Sequence, residues 1–340
     1  MKILFCGDKH LKITRFDLAK QFLALLNTMI KEEMPDMYVC LGDDMDSHAV
    51  LRSELMSEFR KHIDYVRQLG IPTYYILGNH DMYRPKDDKY HAFQSMIGLY
   101  DNFTVVDKRL DVDNITMVPY IPDHTKFPLD TQSICVAHQT FVGADYGYTR
   151  PEVGVDADKV RAEIIISGHV HIRQSFGKCY YPGTPYAQSV NDINQIKGVM
   201  MFDTETYQQR FIEIPLPKWS GIKYELGPGF SIEDLHSDLV KSVTKQDHWI
   251  VEISGPRAEI TAYIASERYG QLQKDVDIRI KPKFIDKEKK RVEIKAVSME
   301  QIIEECVNKV YNGSIDKTKV ADNALQILKE MRAEHGHLKS

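Results

Sequence analysis

The chain has 340 residues, of which 43% are hydrophobic and 27% charged, and its formal net charge is −5. The length allows more than one domain, and the composition is that of a globular protein with a hydrophobic core. No apolar run approaches the length of a membrane-spanning helix, and the N-terminal "MKILFCGD" enters a predicted strand without a signal-peptide pattern. The charge alone neither favours nor excludes nucleic-acid binding, which needs only a local basic surface.

The cysteines are consistent with a reducing compartment. All five are widely spaced, none forms a C-x-x-C pair, and three lie in apolar runs. We therefore expect free, mostly buried thiols and an intracellular, cytoplasmic protein. The five are Cys6, Cys40, Cys135, Cys179 and Cys306.

Five apolar segments predict strands that end directly in polar side chains. In chain order they are "MKILFC", "MYVCL", "TYYIL", "SICVA" and "EIIIS", and a glycine follows four of the five. Packing gives no reason for carboxylates, an amide and imidazoles to stand side by side at the end of a core strand. The polar residues after the five strands are Asp8 and His10; Asp43, Asp44 and Asp46; Asn79, His80 and Asp81; His138; and His169 and His171.

Two helical patterns separate the first three strands. Residues 16–34 place apolar side chains such as Leu26 on one face, and residues 49–69 do the same with side chains such as Phe59. Strands that alternate with helices at this spacing indicate an α/β layered fold. In such a fold the loops at the carboxyl ends of the strands gather into one site.

Each polar motif is ambiguous by itself. A strand followed by aspartate is most often a turn or a helix cap, and a single histidine such as His138 is most often a hydrogen-bonded core residue. "GHVH" is more specific, because histidines two positions apart in an extended segment point to the same side. The ordered set of five motifs favours one shared site over five unrelated turns. Asp44, Asp46 and His48 fit a capped helix start as well as a substrate contact.

The donor types indicate a metal site. Carboxylates, a carboxamide and several imidazoles form a mixed nitrogen and oxygen set without thiolate. This set suits Mn²⁺, Fe²⁺ or Zn²⁺ and excludes a structural zinc cage or an iron–sulfur cluster. The candidates are too many for one ion, whereas two ions bridged by one carboxylate would use them all. Such a pair activates water for attack on a phosphate ester.

The ordered set "D-x-H", "GD", "GNHD", "H" and "GHVH" resembles that of the calcineurin-like metallophosphoesterase superfamily. Within it, the chain most resembles SbcD-type DNA-repair nuclease subunits, including the phage recombination subunit. "GDDMD" lacks the Asp-Arg-Gly continuation of protein phosphatases, and residues 180–198 are similar to a stretch of the nuclease branch. "DKHLK" departs from the pattern, because it lacks the glycine that often follows Asp-x-His-Leu, but it removes no ligand.

The resemblance implies a fold and a set of roles. The fold is α/β: a two-sheet metallophosphoesterase sandwich with flanking helices at 1–215, a small α+β DNA-capping domain at 220–297 and a C-terminal helix pair at 298–340. His80 would stabilise or protonate the leaving oxygen, and Asp81 would orient the His80 ring. One metal would be held by Asp8, His10, Asp43 and His171, and the other by Asp43, Asn79, His138 and His169, with Asp43 bridging.

The second half of the chain predicts a smaller α+β unit. Residues 248–254, "DVDIRIKPKFI" and "KRVEIKAV" predict strands, and 256–269 predicts a helix with Pro256 near its first turn. Basic residues are in excess between 279 and 295. Alone they predict a solvated hairpin, but beside a nuclease site they favour phosphate contact. The predicted DNA-binding residues are Arg279, Lys281, Lys283, Lys287, Lys289, Lys290 and Arg291.

The tail predicts two amphipathic helices, over 298–311 and 320–331. The resemblance places an SbcC-type, SMC-like ATPase partner on residues 298–340 and implies a homodimer without membrane association. If the chain comes from a phage, the expected location is the host cytoplasm. The predicted function is a two-metal DNA nuclease, exonuclease or endonuclease, in repair, recombination or replication. Mn²⁺ is the expected metal, with Mg²⁺ or others as alternatives. Two other interpretations stay open: a metallophosphoesterase for small phosphodiesters, nucleotides or phosphoproteins, and a non-enzymatic scaffold.

Overall fold

The computed structural model describes residues 1–48, 51–84, 87–147, 149–285, 299–310 and 316–336. The chain forms two compact units, Met1–Lys283 and Phe284–Ser340. The first unit contains two six-stranded sheets, a three-stranded sheet and a two-stranded hairpin together with five α-helices, counted over its described residues. This mixed α/β architecture confirms the predicted fold class, while the domain boundaries inferred from the sequence stay predictions.

The first large sheet has a parallel centre. Its strands, from one edge to the other, are β14 (Gln209–Glu213), β13 (Gly198–Asp203), β1 (Lys2–Cys6), β2 (Met37–Cys40), β3 (Thr73–Ile76) and β6 (Phe103–Val106). The last four are parallel to one another, and β13 runs antiparallel to both of its neighbours. The parallel strands are joined by long connections, of which two contain the helices α1 (Phe16–Glu33) and α2 (Ser53–Gln68). The predicted helix over 49–69 therefore begins later than expected, and residues 49–50 lie outside the described residues.

The second large sheet also has a parallel centre, closed by an antiparallel strand at each edge. Its strands in spatial order are β11 (Gln174–Phe176), β12 (Cys179–Tyr181), β10 (Ile164–Gly168), β9 (Ile134–His138), β8 (Ile115–Val118) and β7 (Leu110–Val112). A short hairpin, β4 (Met82–Arg84) and β5 (Asp87–His91), follows β3. The sequence predicted β9 and β10 but not the short strands around them.

Alternate residues along the strands of the first sheet pack against the second sheet and against helices. Ile3 and Val39 of the first sheet belong to one buried cluster with Ile134 of the second sheet. Leu4, the neighbour of Ile3, belongs instead to the cluster that contains Phe22 of α1. Because successive strand side chains point to opposite faces, the first sheet is covered by the second sheet on one side and by helices on the other. A sheet buried on both faces fixes the positions of the loops at its strand ends.

A smaller sheet with three helices completes the first unit. Its strands are β15 (Trp219–Glu225), β16 (His248–Gly255) and β17 (Asp277–Phe284), and its helices are α3 (Ile232–Ser242), α4 (Arg257–Ile264) and α5 (Glu267–Asp275). The single helix predicted over 256–269 is thus wrong. The side chain of Ser266 accepts a hydrogen bond from the Tyr269 amide and starts a new helix, and Pro256 is the N-cap residue of the first.

The second unit contains α6 (Met299–Val310) and α7 (Lys317–Gly336), which pack against each other. Both predicted tail helices are therefore confirmed, and α7 is longer than predicted. The predicted strand "KRVEIKAV" and the turn "DKEKK" lie outside the described residues. Among the helices that the structure describes, none combines the length and the apolar composition needed to cross a bilayer.

Candidate metal centre

The loops that follow β1, β2, β3, β9 and β10 bring the predicted polar residues together. Three residues of these loops, His10, Asp43 and His169, have left-handed backbone conformations with φ of 43°, 53° and 79°. This conformation is unfavourable for a residue with a Cβ atom and persists only where the surroundings enforce it. The side chains form three groups whose candidate ligand atoms lie within 4.8 Å of one another. These groups are Asp8, His10 and His171; Asp43, His138 and His169; and His10, Asp46 and His80.

Two residues of the first group, Asp8 and His10, are buried, and the group is incompletely hydrogen-bonded. Nε2 of His10 lies 3.0 Å from Nε2 of His171, and Oδ1 of Asp8 accepts a hydrogen bond from the backbone of His169 at 2.8 Å. Oδ2 of Asp8 and Nδ1 of His10 are buried without a hydrogen-bond partner among the described residues. Buried polar atoms normally have such partners, so Oδ2 of Asp8 suits a bound cation. Nδ1 of His10 lies 3.6 Å from Oδ1 of Asp46, on the side of the third group, whereas Nε2 faces His171.

The second group is held by a defined histidine orientation. His138 is fully buried, and its Nδ1 donates to the backbone carbonyl of Leu41 at 2.6 Å. Its Nε2 therefore faces the site, at 3.3 Å from Oδ2 of Asp43 and 3.2 Å from Oδ1 of Asn79. A carbonyl that fixes one ring nitrogen and leaves the other for a cation is the usual arrangement of metal-binding histidines.

Asp43 lies between the first two groups. Its Oδ2 is 3.9 Å from Nε2 of His10 and 3.3 Å from Nε2 of His138, while its Oδ1 accepts the backbone N–H of His80 at 2.7 Å. Burial would raise the pKa of the Asp43 carboxyl, but the neighbouring histidines, His138 above all, hold it well below its usual range. An ionised carboxylate in this position can contact two cations at once.

Protonation of the histidines depends on the same neighbours. Burial lowers the pKa of His10 and of His169 to about 4, so both imidazoles are neutral at pH 7 and have a nitrogen lone pair available. Burial also acts to lower the pKa of His138, but the Asp43 carboxylate outweighs it and raises that pKa to about 9. A cation bound beside Asp43 must therefore displace a proton from His138.

Two glycines allow this close packing. A Cβ atom on Gly78 would collide with the Asp43 side chain, and one on Gly42, whose φ is +100°, would collide with the His138 ring. The glycines of the "GD" and "GNHD" motifs therefore allow neighbouring loops to approach each other closely. Gly42 also has a backbone conformation that other residues rarely adopt.

Asp81 differs from its predicted role. Its buried carboxylate accepts backbone N–H groups of Asp43 at 2.8 Å, Asp44 at 3.1 Å and Gly78 at 3.0 Å. The His80 ring instead has its Nδ1 3.1 Å from the backbone carbonyl of Asp46. The expectation that Asp81 orients His80 is corrected, because the carboxylate supports the loops that carry the ligands.

A match to a protein-family model identifies the family of this chain. Residues 1–173 match the family model described as calcineurin-like phosphoesterase. The chain belongs to the calcineurin-like phosphoesterase family. This confirms the predicted resemblance, and it indicates a hydrolase of phosphate esters that uses divalent metal ions. The buried mixture of carboxylate and imidazole donors in this phosphoesterase fits such ions.

Relatives of this phosphoesterase include viral and phage proteins. It is 26% identical over 307 residues to "Putative phosphoesterase 078R" of Invertebrate iridescent virus 3, covering 83% of this chain and 85% of that protein. It is 26% identical to "Exonuclease subunit 1" of Enterobacteria phage T4, covering 72% of this chain and 79% of that protein. "Probable exonuclease subunit 1" of Escherichia phage T5 is 25% identical, with 71% and 77% covered.

A cleft of about 320 Å³ opens above the phosphoesterase site. Asp43, Asn79, His80, His169 and His171 line one part of it. A polar rim with Ser189, Asn191, Asp192 and Gln195 lines another part, and Tyr146 and Ile172 complete the lining. A substrate in this cleft would thus reach both donor groups and His80.

Lys197 lies in the stretch 180–198 that is similar to the nuclease branch, but it is not among the predicted site residues. Nζ of Lys197 lies 3.0 Å from the carbonyl oxygen of His171 and 2.6 Å from Oδ1 of Asp192, and both side chains are almost fully buried. Asp192 in turn accepts backbone N–H groups of Gln188 and Ser189. The rim of the cleft is thereby tied to a candidate ligand.

The predicted DNA-binding residues are only partly described. Arg279, Lys281 and Lys283 alternate along β17 and are exposed. The Arg279 guanidinium lies 5.8 Å from the centre of the Trp219 ring and 3.9 Å from Asp277. The other four predicted residues, Lys287, Lys289, Lys290 and Arg291, lie outside the described residues.

Proposed function

We propose that this protein is a two-metal phosphodiesterase that cleaves DNA. The observation that carries the proposal is the pair of donor groups that meet at Asp43 on the wall of the cleft. Two divalent cations in such a site neutralise the charge of a phosphate and supply a nucleophile at neutral pH. The names of the phage T4 and T5 relatives, which are exonuclease subunits, support DNA as the substrate.

The proposed ligands follow from the two groups. One cation would be bound by Asp8, His10, Asp43 and His171, and the other by Asp43, Asn79, His138 and His169. Mn²⁺ is the proposed metal, since it accepts imidazole nitrogen together with carboxylate and carboxamide oxygen.

His80 is proposed as the group that faces the leaving oxygen. It lines the cleft, and its Nδ1 donates a hydrogen bond to the Asp46 carbonyl. A second proton on Nε2 makes the ring a donor, which can stabilise or protonate an oxygen that departs from phosphorus. The third donor group, in which His80 lies near His10 and Asp46, offers a competing role as a ligand. Metal content of a His80 variant separates the two roles.

The remaining parts of the chain are proposed to bind the DNA strand and a partner protein. Arg279, Lys281 and Lys283 are proposed to contact phosphates, because they present three exposed cations along one strand. The helix pair α6–α7 is proposed to bind an SbcC-type ATPase. Ile302 and Ile327 support this, since they are 44% and 57% exposed in spite of the packing of the two helices. Homodimer formation, cytoplasmic location and a role in DNA repair, recombination or replication belong to the same proposal.

A phosphoesterase for small phosphodiesters or nucleotides is the second candidate. The relative that covers 83% of this chain is named only as a phosphoesterase, without a nucleic-acid substrate. Its long alignment includes residues beyond the matched family region. Substrate choice therefore has to be measured.

The deciding experiment compares substrates in one preparation. The full chain is stripped of metal, supplied with Mn²⁺ and incubated with end-labelled single- and double-stranded DNA, and in parallel with bis-p-nitrophenyl phosphate. We expect metal-dependent cleavage of DNA, increased by the ATPase on duplex DNA. Cleavage of the small ester without any cleavage of DNA would favour the second candidate, and Mn²⁺ binding without either turnover would favour a non-enzymatic scaffold. An Asp43→Ala variant controls for contaminating nucleases.

A further inference from the structure

A buried pair of opposite charges lies directly behind the metal centre. Lys9 and Asp44 are both fully buried, and Nζ of Lys9 contacts Oδ1 of Asp44. The same Nζ is 2.9 Å from Sγ of Cys40 and 4.9 Å from the centre of the Tyr75 ring. Neither charged group lines the cleft, so neither can touch a substrate there.

The Lys9–Asp44 pair joins two loops that carry proposed ligands. Lys9 stands between Asp8 and His10 in the loop after β1, and Asp44 directly follows Asp43 in the loop after β2. The backbones of these loops are also joined: the His10 amide donates to the Asp43 carbonyl and the Leu11 amide to the Asp44 carbonyl, both at 2.9 Å. The pair is therefore one of several links between the loops. The ion pair of Lys12 with Asp46, at 3.0 Å, also joins them but is partly exposed, whereas Lys9 and Asp44 are fully buried.

Each member of the pair is next to a residue in an unfavourable backbone conformation. His10 follows Lys9 and has a φ of 43°, and Asp43 precedes Asp44 and has a φ of 53°. Non-glycine residues keep such conformations only when neighbouring contacts enforce them. Separation of a buried ion pair leaves uncompensated charges, so the two side chains stay together and can restrain the backbone on both sides at once.

We infer that the Lys9–Asp44 pair is a positioning element that holds His10 and Asp43 in the geometry needed to bind metal ions. The inference rests on the proposed metal ligands and deepens that proposal. An ordinary core ion pair would affect only the stability of the fold. A positioning pair would also determine the affinity for the metal, even in a protein of normal stability.

The test replaces both charges, so that the net charge of the site does not change. Lys9→Met/Asp44→Leu substitutes apolar side chains for the pair, which often preserves or increases stability. We expect its thermal unfolding temperature to stay close to that of the wild type. We expect its Mn²⁺ dissociation constant, measured by calorimetry on metal-free protein, to rise by roughly 10- to 100-fold, as for other residues that orient metal ligands.

Two further variants make the outcome decisive. Lys9→Gln/Asp44→Asn keeps much of the shape and one hydrogen bond, should show a smaller loss of affinity, and decides the question if the first variant does not fold. Lys20→Gln/Asp17→Asn removes an exposed ion pair on α1 and should leave Mn²⁺ binding unchanged.

Wild-type Mn²⁺ affinity in a folded variant of the Lys9–Asp44 pair would overturn the inference alone. A wild-type protein that binds no Mn²⁺ would overturn the proposed metal centre together with it.

Discussion

The metal centre and the exposed side of β17 both concentrate charged residues, but in opposite surroundings. Asp8, Asp43 and His138 are almost fully buried, and His138 contacts both carboxylates, whereas Arg279 and Lys281 face solvent. Removal of one member of a buried charged group leaves another without compensation, at a cost of about 3–5 kcal/mol, while an exposed pair contributes about 0–1 kcal/mol. Removal of a charged residue should therefore have a large, local effect in the metal centre and a small, additive effect on β17.

The largest effect is expected for Asp43→Ala. It removes the carboxylate that lies between the two donor groups, so the remaining cations would repel each other without a bridge. Turnover should be abolished, and metal content measured by mass spectrometry should fall by more than one ion per chain. The exposed Asp17→Ala on α1 is the control. Full metal occupancy in Asp43→Ala would contradict the bridging position.

His80→Ala should have the next largest effect. Loss of a general acid slows a reaction by roughly 10²–10⁴-fold, and we expect this loss in kcat with both metals and DNA affinity preserved. Single-turnover cleavage together with metal analysis measures both properties. If the variant loses a metal ion, His80 is a ligand with His10 and Asp46, and the donor groups must be assigned again.

Metal binding should depend on pH through His138. In spite of burial, the Asp43 carboxylate raises its pKa in the metal-free site to about 9, so at pH values below about 9 the imidazole must lose a proton before a cation binds. Affinity for Mn²⁺ should then rise by up to about tenfold per pH unit in this window, since one proton is released for each such site. Calorimetry at pH 7.5 in buffers of different ionisation enthalpy counts the released protons, and a count of zero would contradict this prediction.

The basic side of β17 should respond more weakly. Arg279→Gln, Lys281→Gln and Lys283→Gln together should reduce DNA affinity and flatten its salt dependence, by about one unit of slope for each lost phosphate contact. Hydrolysis of a small phosphodiester should not change, because the metal centre is intact. Lys20→Gln and Lys31→Gln on α1 with Arg60→Gln on α2 provide a matched loss of three exposed charges. If the salt dependence of DNA affinity does not change, the exposed side of β17 is ordinary solvated surface that does not contact DNA.

The smallest effect on cleavage is expected from deletion of residues 298–340. The described helices of this segment form a unit separate from Met1–Lys283, so Mn²⁺-dependent cleavage of single-stranded DNA should stay largely intact. Co-purification with the ATPase and ATP-stimulated digestion of duplex DNA should be lost. Normal affinity of the truncated chain for the ATPase would place the docking site elsewhere, and loss of cooperative unfolding would assign the helices to the core.

The candidate ligands could be predicted because their signal is local. A buried strand that ends in Asp, Asn or His is visible in the sequence, and parallel strands bring such ends together. Contacts between loops were not visible. Nothing local to Asp81 distinguishes support of the Asp43 loop from orientation of His80, and nothing in "DKH" or "GDD" pairs Lys9 with Asp44. The division at Ser266 did have a local signal, since serine is a common N-cap residue, but continuous helical patterning on both sides concealed it.

Lys197 connects the rim of the cleft to the metal centre. One ammonium group binds the carbonyl of His171 and the side chain of Asp192, and Asp192 fixes the backbone of the 188–189 turn at the rim. A substrate that displaces the rim would therefore act on the backbone of a candidate ligand through Lys197, and a cation that orders His171 would act on the rim through the same ammonium group. Linkage requires the two effects to be equal: whatever factor the metal adds to substrate affinity, the substrate adds to metal affinity.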